Sequence, residues 1–155
     1  MKSEVIAVCL SEKKGIQKHP VPEIELVFGH GIAGDAHEGN WHRQISLLAD
    51  ESVDKMRALG WELAPGAFAE NILTCGIELR TMPVGTVIEV GETVLCVTQI
   101  GKECHSDCAI KKTTGKCVMP TEGIFAVVIK GGRVAPGMEI RIWENGLEKD
   151  ETDQN

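Results

Sequence analysis

Short runs of β-branched residues, each ended by glycine or proline, recur along this chain and predict a fold built mainly from strands. Gly91-Glu92 separates two of these runs and is the Gly-X pair of a tight hairpin. A single helix is predicted from Asp50, as its cap, to Leu59, because apolar residues share one face there and Gly60 follows. The predicted strands are 4–10, 24–28, 44–48, 86–90, 93–98, 124–130 and 138–143.

These elements predict a mainly β fold of the α+β kind, arranged as a sandwich or a barrel. The run Val94–Val97 is apolar at every position, which is typical of a strand covered on both faces. We therefore expect a closed or nearly closed β-barrel of short mixed strands with a few peripheral helices. In the last predicted strand, 138–143, apolar and polar residues alternate, so Met138, Ile140 and Ile142 are expected to face the core.

The length of 155 residues fits one domain, expected at 1–147, with residues 148–155 as an acidic disordered tail. A formal charge of −7 argues against broad nucleic-acid binding and against an anionic membrane surface as partner. No apolar run approaches the roughly 18 residues of a membrane span. The first ten residues lack the pattern of a signal peptide. We expect a cytoplasmic protein that binds neither nucleic acid nor membranes.

Three of the six cysteines lie close together after a predicted strand end. Without a secretory signal, reduced thiols are expected. Lys102 and His105 flank Cys104 closely, and nearby cations favour the reactive thiolate, although Glu103 and Asp107 oppose that effect. The other three thiols occupy apolar strand positions and are expected to be inert core residues. These three are Cys9, Cys75 and Cys96.

The same segment offers a set of zinc ligands as an alternative use. Nitrogen and sulfur donors of this kind bind Zn²⁺ tetrahedrally. The spacing nevertheless lacks the paired C-x2-C knuckles that make a zinc prediction specific. The four candidate metal ligands are Cys104, His105, Cys108 and Cys117.

Two further segments concentrate polar side chains. The stretch 29–34 matches G-x-G-x-x-G, but no helix follows to hold a pyrophosphate, so a dinucleotide site is rejected. His37 and Arg43 follow this glycine-rich loop. In the second segment, Glu70 and Asn71 stand between apolar residues, where a turn with an Asn-mediated backbone bond is favoured over a pocket wall.

Three blocks, in this order, resemble the MOSC domain, the module named for the C-terminal part of molybdenum-cofactor sulfurase. They are 31–47, 65–72 and 84–99, the last followed by Cys104. Segments 123–126 and 131–134 complete the pattern, and the likeness covers residues 5–143. Small stand-alone bacterial members are the most similar.

This resemblance implies a strand-rich fold around a β-barrel, with loops at one end forming a pocket. It also implies a pocket cysteine that carries sulfane sulfur or ligates molybdenum of the pterin cofactor, and by position this is the catalytic candidate Cys104. Pyridoxal phosphate belongs to the desulfurase partner, and we do not expect it to bind this chain. The implied cofactor-binding residues are His37, Arg43, Gln44, Ser46, Glu70, Asn71 and Lys102.

The leading hypothesis is a protein that binds molybdopterin, or its molybdenum or tungsten form, and carries sulfur or metal. Its expected partners are a cysteine desulfurase as donor and a molybdoenzyme as acceptor. One alternative is a cofactor-dependent reductase of N-hydroxylated compounds, although Glu103 stands where relatives usually have proline before the cysteine. Another is a zinc-stabilised binding module without catalysis.

Overall fold

The structure is a computed structural model that describes residues 3–14, 16–60, 62–101 and 122–143. Within these ranges it contains eleven strands, one α-helix and one 3₁₀ helix. The helix α1 is Asp50–Arg57 and the 3₁₀ helix is Leu79–Thr81. The strands are β1 (Glu4–Leu10), β2 (His19–Val21), β3 (Ile24–Val27), β4 (Gly31–Ile32), β5 (Ile45–Ala49), β6 (Ile72–Cys75), β7 (Val87–Val90), β8 (Thr93–Ile100), β9 (Ile124–Lys130), β10 (Gly132–Val134) and β11 (Ile140–Trp143).

Eight strands form one mixed sheet in the order β11-β7-β8-β9-β5-β6-β1-β2. The pair β5–β6 is parallel, and every other neighbouring pair is antiparallel. A parallel pair needs a crossover connection, and α1 lies within it. The remaining strands form a three-stranded sheet in the order β10-β3-β4. The prediction of a mainly β protein is confirmed.

The large sheet is not closed into a barrel, so that prediction is wrong. In the part of the chain that the structure describes, β11 and β2 form its two ends. An isolated bridge between Glu4 and Glu139 brings the first and last strands together, and Val5 N donates to Met138 O at 2.9 Å. Residues 8–10 of β1 pair with β2, with Val8 opposite Val21. No continuous ladder of backbone hydrogen bonds therefore joins β1 to β11 among the described residues.

Two apolar clusters lie on the two faces of the sheet. The larger one joins residues of both sheets, among them Leu26, Ile45 and Leu95, all almost completely buried. The smaller one packs α1 and the loop before β6 against the sheet through Met56 and Phe68. The second face of the sheet is therefore covered by α1 and by the loop before β6.

Several predicted boundaries differ in detail. Asp50 is the first residue of α1 rather than its cap, and its carboxylate accepts a hydrogen bond from Arg57 Nη1 at 3.0 Å. Ile140 is buried as predicted, but Ile142 is 43% exposed because it lies on the end strand of the sheet. The hairpin at Gly91 is confirmed, with a φ of 60° there. Among the residues described, no helix is long and apolar enough to cross a bilayer.

Candidate functional site

A buried ion pair forms the base of the candidate site. Lys18 immediately precedes β2, and Asp35 follows β4 in the glycine-rich loop. Lys18 Nζ lies 2.8 Å from Asp35 Oδ1, and both side chains are completely buried. Asp35 also accepts backbone hydrogen bonds from Ser11 N and His37 N, each at 3.1 Å. Burial raises the pKa of the Asp35 carboxyl, but contacts with His37 and Lys18 outweigh it and hold the pKa well below its usual range.

The Lys18 ammonium also contacts His37. It has three donors and lies near Asp35 Oδ1, Ser11 Oγ at 3.4 Å and His37 Nδ1 at 3.2 Å. Because an ammonium cannot accept a hydrogen bond, this contact favours the His37 tautomer with its proton on Nε2, while Asp35 Oδ2, 3.7 Å from the same Nδ1, favours the other one. The His37 side chain is 24% exposed, which leaves the Nε2–H of the first tautomer available as a donor at the surface.

Trp41 connects His37 to Arg43. Its ring stacks on His37 with a centroid separation of 6.3 Å and an interplanar angle of 5°. The Trp41 Nε1–H donates to the His37 carbonyl oxygen at 2.8 Å. The Arg43 guanidinium carbon lies 5.6 Å from the Trp41 ring centroid and 5.4 Å from that of Phe125. Both distances are within the range of a cation–π interaction.

The Arg43 guanidinium is therefore held in place by two aromatic rings. Its Nε atom is buried and has no hydrogen-bond partner within the described ranges. Buried donors in native proteins are rarely left unpaired. Arg43 is thus a positioned cation with unused hydrogen-bonding capacity, which is the property expected of an anion-binding residue.

The loop before β5 is anchored to the end of β8. His42 Nε2 and Gln99 Oε1 are 2.8 Å apart, and the Thr98 hydroxyl donates to the His42 carbonyl oxygen. Gln99 Nε2 donates to Gly101 O at 2.7 Å. His37, Trp41 and Arg43 consequently lie on the face of the sheet beside the point where the chain leaves β8.

Asn71 holds three strands together with its side-chain amide. Its Oδ1 accepts from Ser46 N at 3.0 Å and from Ser46 Oγ at 3.2 Å, and its Nδ2 donates to Cys9 O at 3.1 Å. Asn71 and Ser46 bond directly to each other, and the Ser46 hydroxyl also donates to Ala69 O at 3.3 Å. The bonds of the Asn71 side chain join distant strands, so they are not the local turn bond that the sequence favoured.

Glu70 and Gln44 are likewise engaged with the backbone. Glu70 accepts from Gly66 N at 2.7 Å and from Phe68 N at 3.1 Å. Burial raises the pKa of Glu70, and these backbone bonds oppose that effect. Gln44 Oε1 accepts from Val128 N at 2.9 Å, deep in the sheet. The side chains of Glu70 and Gln44 are thus bonded to backbone groups.

Gly66 ties the second sequence block to the ion pair. Its φ is +90°, and a Cβ there would lie 2.2 Å from the Lys18 carbonyl oxygen, so only glycine fits. Lys18 N donates to Gly66 O at 2.9 Å. The block 66–71 therefore lies directly against the segment that carries Lys18.

The structure joins His37 and Arg43 through Trp41. The other predicted site residues that it describes are buried and hydrogen-bonded to backbone groups; these are Gln44, Ser46, Glu70 and Asn71. Sequence reasoning missed Lys18, Asp35 and Trp41 as parts of the site. The position of Asp35 directly after the glycine-rich loop is a signal that could have identified it as a site residue. No local sequence feature distinguishes Lys18 from the other loop lysines. The following predictions lie outside the described residues: Lys102, Cys104, His105, Cys108, Cys117 and the tail 148–155.

The described ranges contain no group of three or more His, Cys, Asp or Glu residues arranged to hold a metal ion. Cys9, Cys75 and Cys96 are free thiols there, and burial, together with the charge of Glu70, raises the pKa of Cys9 to about 12. Cys9 is fully buried, as predicted for a core residue, whereas Cys75 and Cys96 are only partly buried, so the prediction of core positions is wrong for these two.

Comparisons with known proteins agree with this architecture. The family model described as MOSC domain matches residues 34–141. The YuaD protein from Bacillus subtilis has a TM-score of 0.76 at 18% identity, covering 92% of this chain and 96% of its own. YiiM from Geobacillus stearothermophilus has a TM-score of 0.71 at 20% identity, covering 94% of this chain and 79% of its own. YiiM from Escherichia coli has a TM-score of 0.63 at 19% identity, covering 92% of this chain and 69% of its own. A search of curated protein sequences finds no match.

Proposed function

The chain belongs to the MOSC domain family, and we propose that it binds molybdopterin or its metal-loaded form and carries sulfur or metal on Cys104. The family is associated with the molybdenum cofactor. The proposed delivery is from a cysteine desulfurase to a molybdoenzyme. The observation that supports this function best is Arg43, a positioned cation beside a histidine donor on the loop face of the sheet.

The residues around Arg43 fit the polar parts of a pterin phosphate. Guanidinium groups bind phosphate oxygens through paired N–H donors, and two aromatic rings hold the Arg43 guanidinium on this face. Its buried Nε has no partner among the described residues, which is consistent with a group that binds an anion. In the proposal the His37 Nε2–H, the tautomer that the Lys18 contact favours, supplies a second donor on the other side of Trp41. In the proposal Lys102 adds positive charge, while Gln44, Ser46, Glu70 and Asn71 keep the loops in place.

Covalent geometry limits how far Cys104 can be from this face. Gly101 N donates to Gly123 O at 2.6 Å, which joins the end of β8 to the start of β9. Cys104 is the third residue after Gly101, and a fully extended chain of three steps spans at most about 11 Å. A cysteine at this position is therefore compatible with a pocket formed around Arg43 and Gln99.

A thiolate is suited to both proposed cargoes. In sulfur transfer, the Cys104 thiolate attacks the outer sulfur of a desulfurase persulfide, and the desulfurase cysteine leaves as a thiolate. A thiolate of the acceptor then attacks the sulfane sulfur on Cys104, the persulfide forms on the acceptor, and Cys104 leaves as the thiolate again. Molybdenum and tungsten, bound through the same thiolate, are the metal alternative. His105, Cys108 and Cys117 are further ligand candidates in this proposal.

Two substitutions separate the sulfur and cofactor parts of the proposal. Cys104→Ser is expected to fold normally but to lose persulfide loading from a cysteine desulfurase, because a hydroxyl cannot hold sulfane sulfur. Arg43→Ala is expected to load persulfide normally and to weaken molybdopterin binding by about tenfold or more. Mass spectrometry of the intact protein and a fluorescence titration with molybdopterin are the two measurements.

Arg133→Ala is the matched control, since Arg133 is an exposed arginine of the three-stranded sheet that pairs with Glu23. It should leave both measurements unchanged. Persulfide loading of Cys104→Ser at the rate of the unaltered protein would contradict the sulfur role. A protein that binds zinc but never molybdopterin would support the zinc-stabilised module instead.

A further inference from the structure

A separate cavity lies at the other end of β5 from Arg43. Its volume is about 420 Å³, within the range of about 300–1,000 Å³ typical of small-molecule sites. Ala49, the last residue of β5, lines it together with Gly76 and Ile77 from the chain after β6. Arg43 precedes β5, which spans about 13 Å, so this cavity is distinct from the candidate cofactor site.

The charged side chains lining the cavity are balanced. Lys55 on α1 and Arg80 on the 3₁₀ helix provide two cations, and Glu51 and Glu78 provide two carboxylates. A cavity that recognised a simple anion would be expected to have an excess of cations, because each lining carboxylate repels the ligand. Among the lining residues the two signs balance, but Glu122 beside the two cations brings the local total to three carboxylates against two cations. This excess argues against a simple anion and requires that any ligand whose carboxylate meets Lys55 and Arg80 also carries a positive group.

Lys55 and Arg80 are both positioned by the carboxylate of Glu122, which does not itself line the cavity. Glu122 Oε2 lies 2.7 Å from Lys55 Nζ and 3.8 Å from Arg80 Nη1, and the Glu122 side chain is only 11% exposed. Burial raises the pKa of Glu122, but contacts with Lys55 and Ser52 and the charge of Arg80 lower it overall. An ionised Glu122 thus draws two otherwise flexible cations together at the cavity.

The carboxylates are held as well. Glu51 Oε2 accepts from Gly76 N at 2.8 Å, which leaves its second oxygen for another donor. Glu78 Oε2 lies 3.3 Å from Arg80 Nε and orients that guanidinium. Lys55 and Arg80 are each about half exposed, at 54% and 48%, so N–H groups not used by Glu122 remain accessible.

We propose that this cavity binds a small zwitterion with the charge pattern of a free α-amino acid. Its carboxylate accepts hydrogen bonds from Lys55 and Arg80, and its ammonium donates to Glu51. Ammonium and carboxylate groups are recognised by charge-assisted bonds of this kind. Ala49 and Ile77 give the remaining wall an apolar surface, which suits an aliphatic side chain.

Isothermal titration calorimetry with L-leucine as the probe tests the proposal on the full chain. Two matched compounds each lack one charge: 4-methylpentanoate has no ammonium, and 3-methylbutylamine has no carboxylate. L-leucine is expected to bind at least about tenfold more tightly than either, because a charge-assisted bond is lost in each case. Equal binding of L-leucine and 4-methylpentanoate would overturn the zwitterion assignment, and so would no binding of L-leucine at millimolar concentration.

Three substitutions locate the site. Arg80→Gln and Glu51→Gln should each weaken L-leucine binding by about tenfold, and Lys55→Gln is the second variant for the carboxylate side. Arg133→Gln is the matched surface control and should bind L-leucine like the unaltered protein. Melting temperatures confirm that each variant folds. Loss of L-leucine binding in the control, or its retention in both Arg80→Gln and Lys55→Gln, would overturn the assignment.

Discussion

Lys18 and Asp35 form an ion pair 2.8 Å long, in which neither side chain is exposed to solvent. The pair joins the segment before β2 to the glycine-rich loop, and the same ammonium contacts His37. One buried cation therefore links the stability of the loop to the orientation of the side chain that the loop presents. The first two predictions test this relationship.

Replacing Lys18 with methionine should strongly destabilise the protein. The change leaves the Asp35 carboxylate buried without its cation, and breaking a buried pair in this way costs about 3–5 kcal/mol. Chemical denaturation at neutral pH measures the loss. Lys130→Met, at an exposed position on β9, should change the free energy of unfolding by less than about 0.5 kcal/mol. A loss below about 1 kcal/mol in Lys18→Met would contradict a strongly stabilising role for the pair.

Asp35 should make stability fall at acid pH. Its folded-state pKa lies below that of an unfolded aspartate, about 3.9, so between the two values the unfolded chain binds more protons. The stabilisation is therefore present above the unfolded pKa and is lost as the pH falls toward the folded pKa. Denaturation curves between about pH 5 and 2 should be less pH-dependent in Asp35→Asn than in the unaltered protein. Identical slopes would show that Asp35 does not contribute.

Asn71→Ala should destabilise the fold itself. The change leaves Ser46 N and Cys9 O without their side-chain partner in a fully buried place. Each unsatisfied buried group costs about 1–3 kcal/mol, so we expect a loss of roughly 2–5 kcal/mol in guanidinium denaturation. Asn40→Ala, at an exposed loop position, serves as the control and should have little effect. A stable Asn71→Ala protein with a specific loss of ligand binding would instead assign Asn71 to the ligand.

Trp41→Leu should weaken molybdopterin binding without removing it. Leucine fills part of the space but offers no π face, so Arg43 keeps only Phe125 as an aromatic partner. A cation–π interaction contributes about 0.5–2 kcal/mol, which corresponds to a weakening of roughly threefold to thirtyfold. Trp143→Leu on β11 tests whether any tryptophan loss has this effect. If both variants bind like the unaltered protein, Trp41 does not position Arg43 for the ligand.

The cysteines should differ in their rate of alkylation by iodoacetamide at pH 8. Cys9 is fully buried with a pKa of about 12, so it is almost entirely the unreactive thiol. Cys75 also has a raised pKa, caused mainly by partial burial. We expect Cys104 to be modified before Cys9, Cys75 and Cys96, as measured by peptide mass mapping over time. Labelling of Cys9 at the rate of Cys104 would contradict both the buried position of Cys9 and the reactivity proposed for Cys104.

Local chemistry made part of this fold predictable. The strands β1, β5, β7, β8 and β9 were found from their β-branched runs, and the hairpin at Gly91 from its turn residues. Strand β2 was missed, because its three residues His19–Val21 are too few to show alternation and include a proline. They become a strand only by pairing with β1, where Leu10 lies opposite His19. The prediction of a closed barrel was wrong for a related reason. Strand β2 pairs with the second edge of β1, and this pairing cannot be predicted from the local sequence pattern.

The sequence by itself determined the strand-rich class, the family resemblance and the pairing of His37 with Arg43 in one polar loop. Only the tertiary structure decided how each polar side chain is used. Asn71 and Glu70 bond to backbone groups, whereas Arg43 contacts two aromatic rings and its Nε has no partner in the part of the chain that the structure describes. The ion pair of Lys18 with Asp35 was likewise invisible, because 17 residues separate its members and the loops meet only in the folded chain. Propensity acts over a few neighbouring residues, while burial and charge pairing depend on which distant segments the fold brings together.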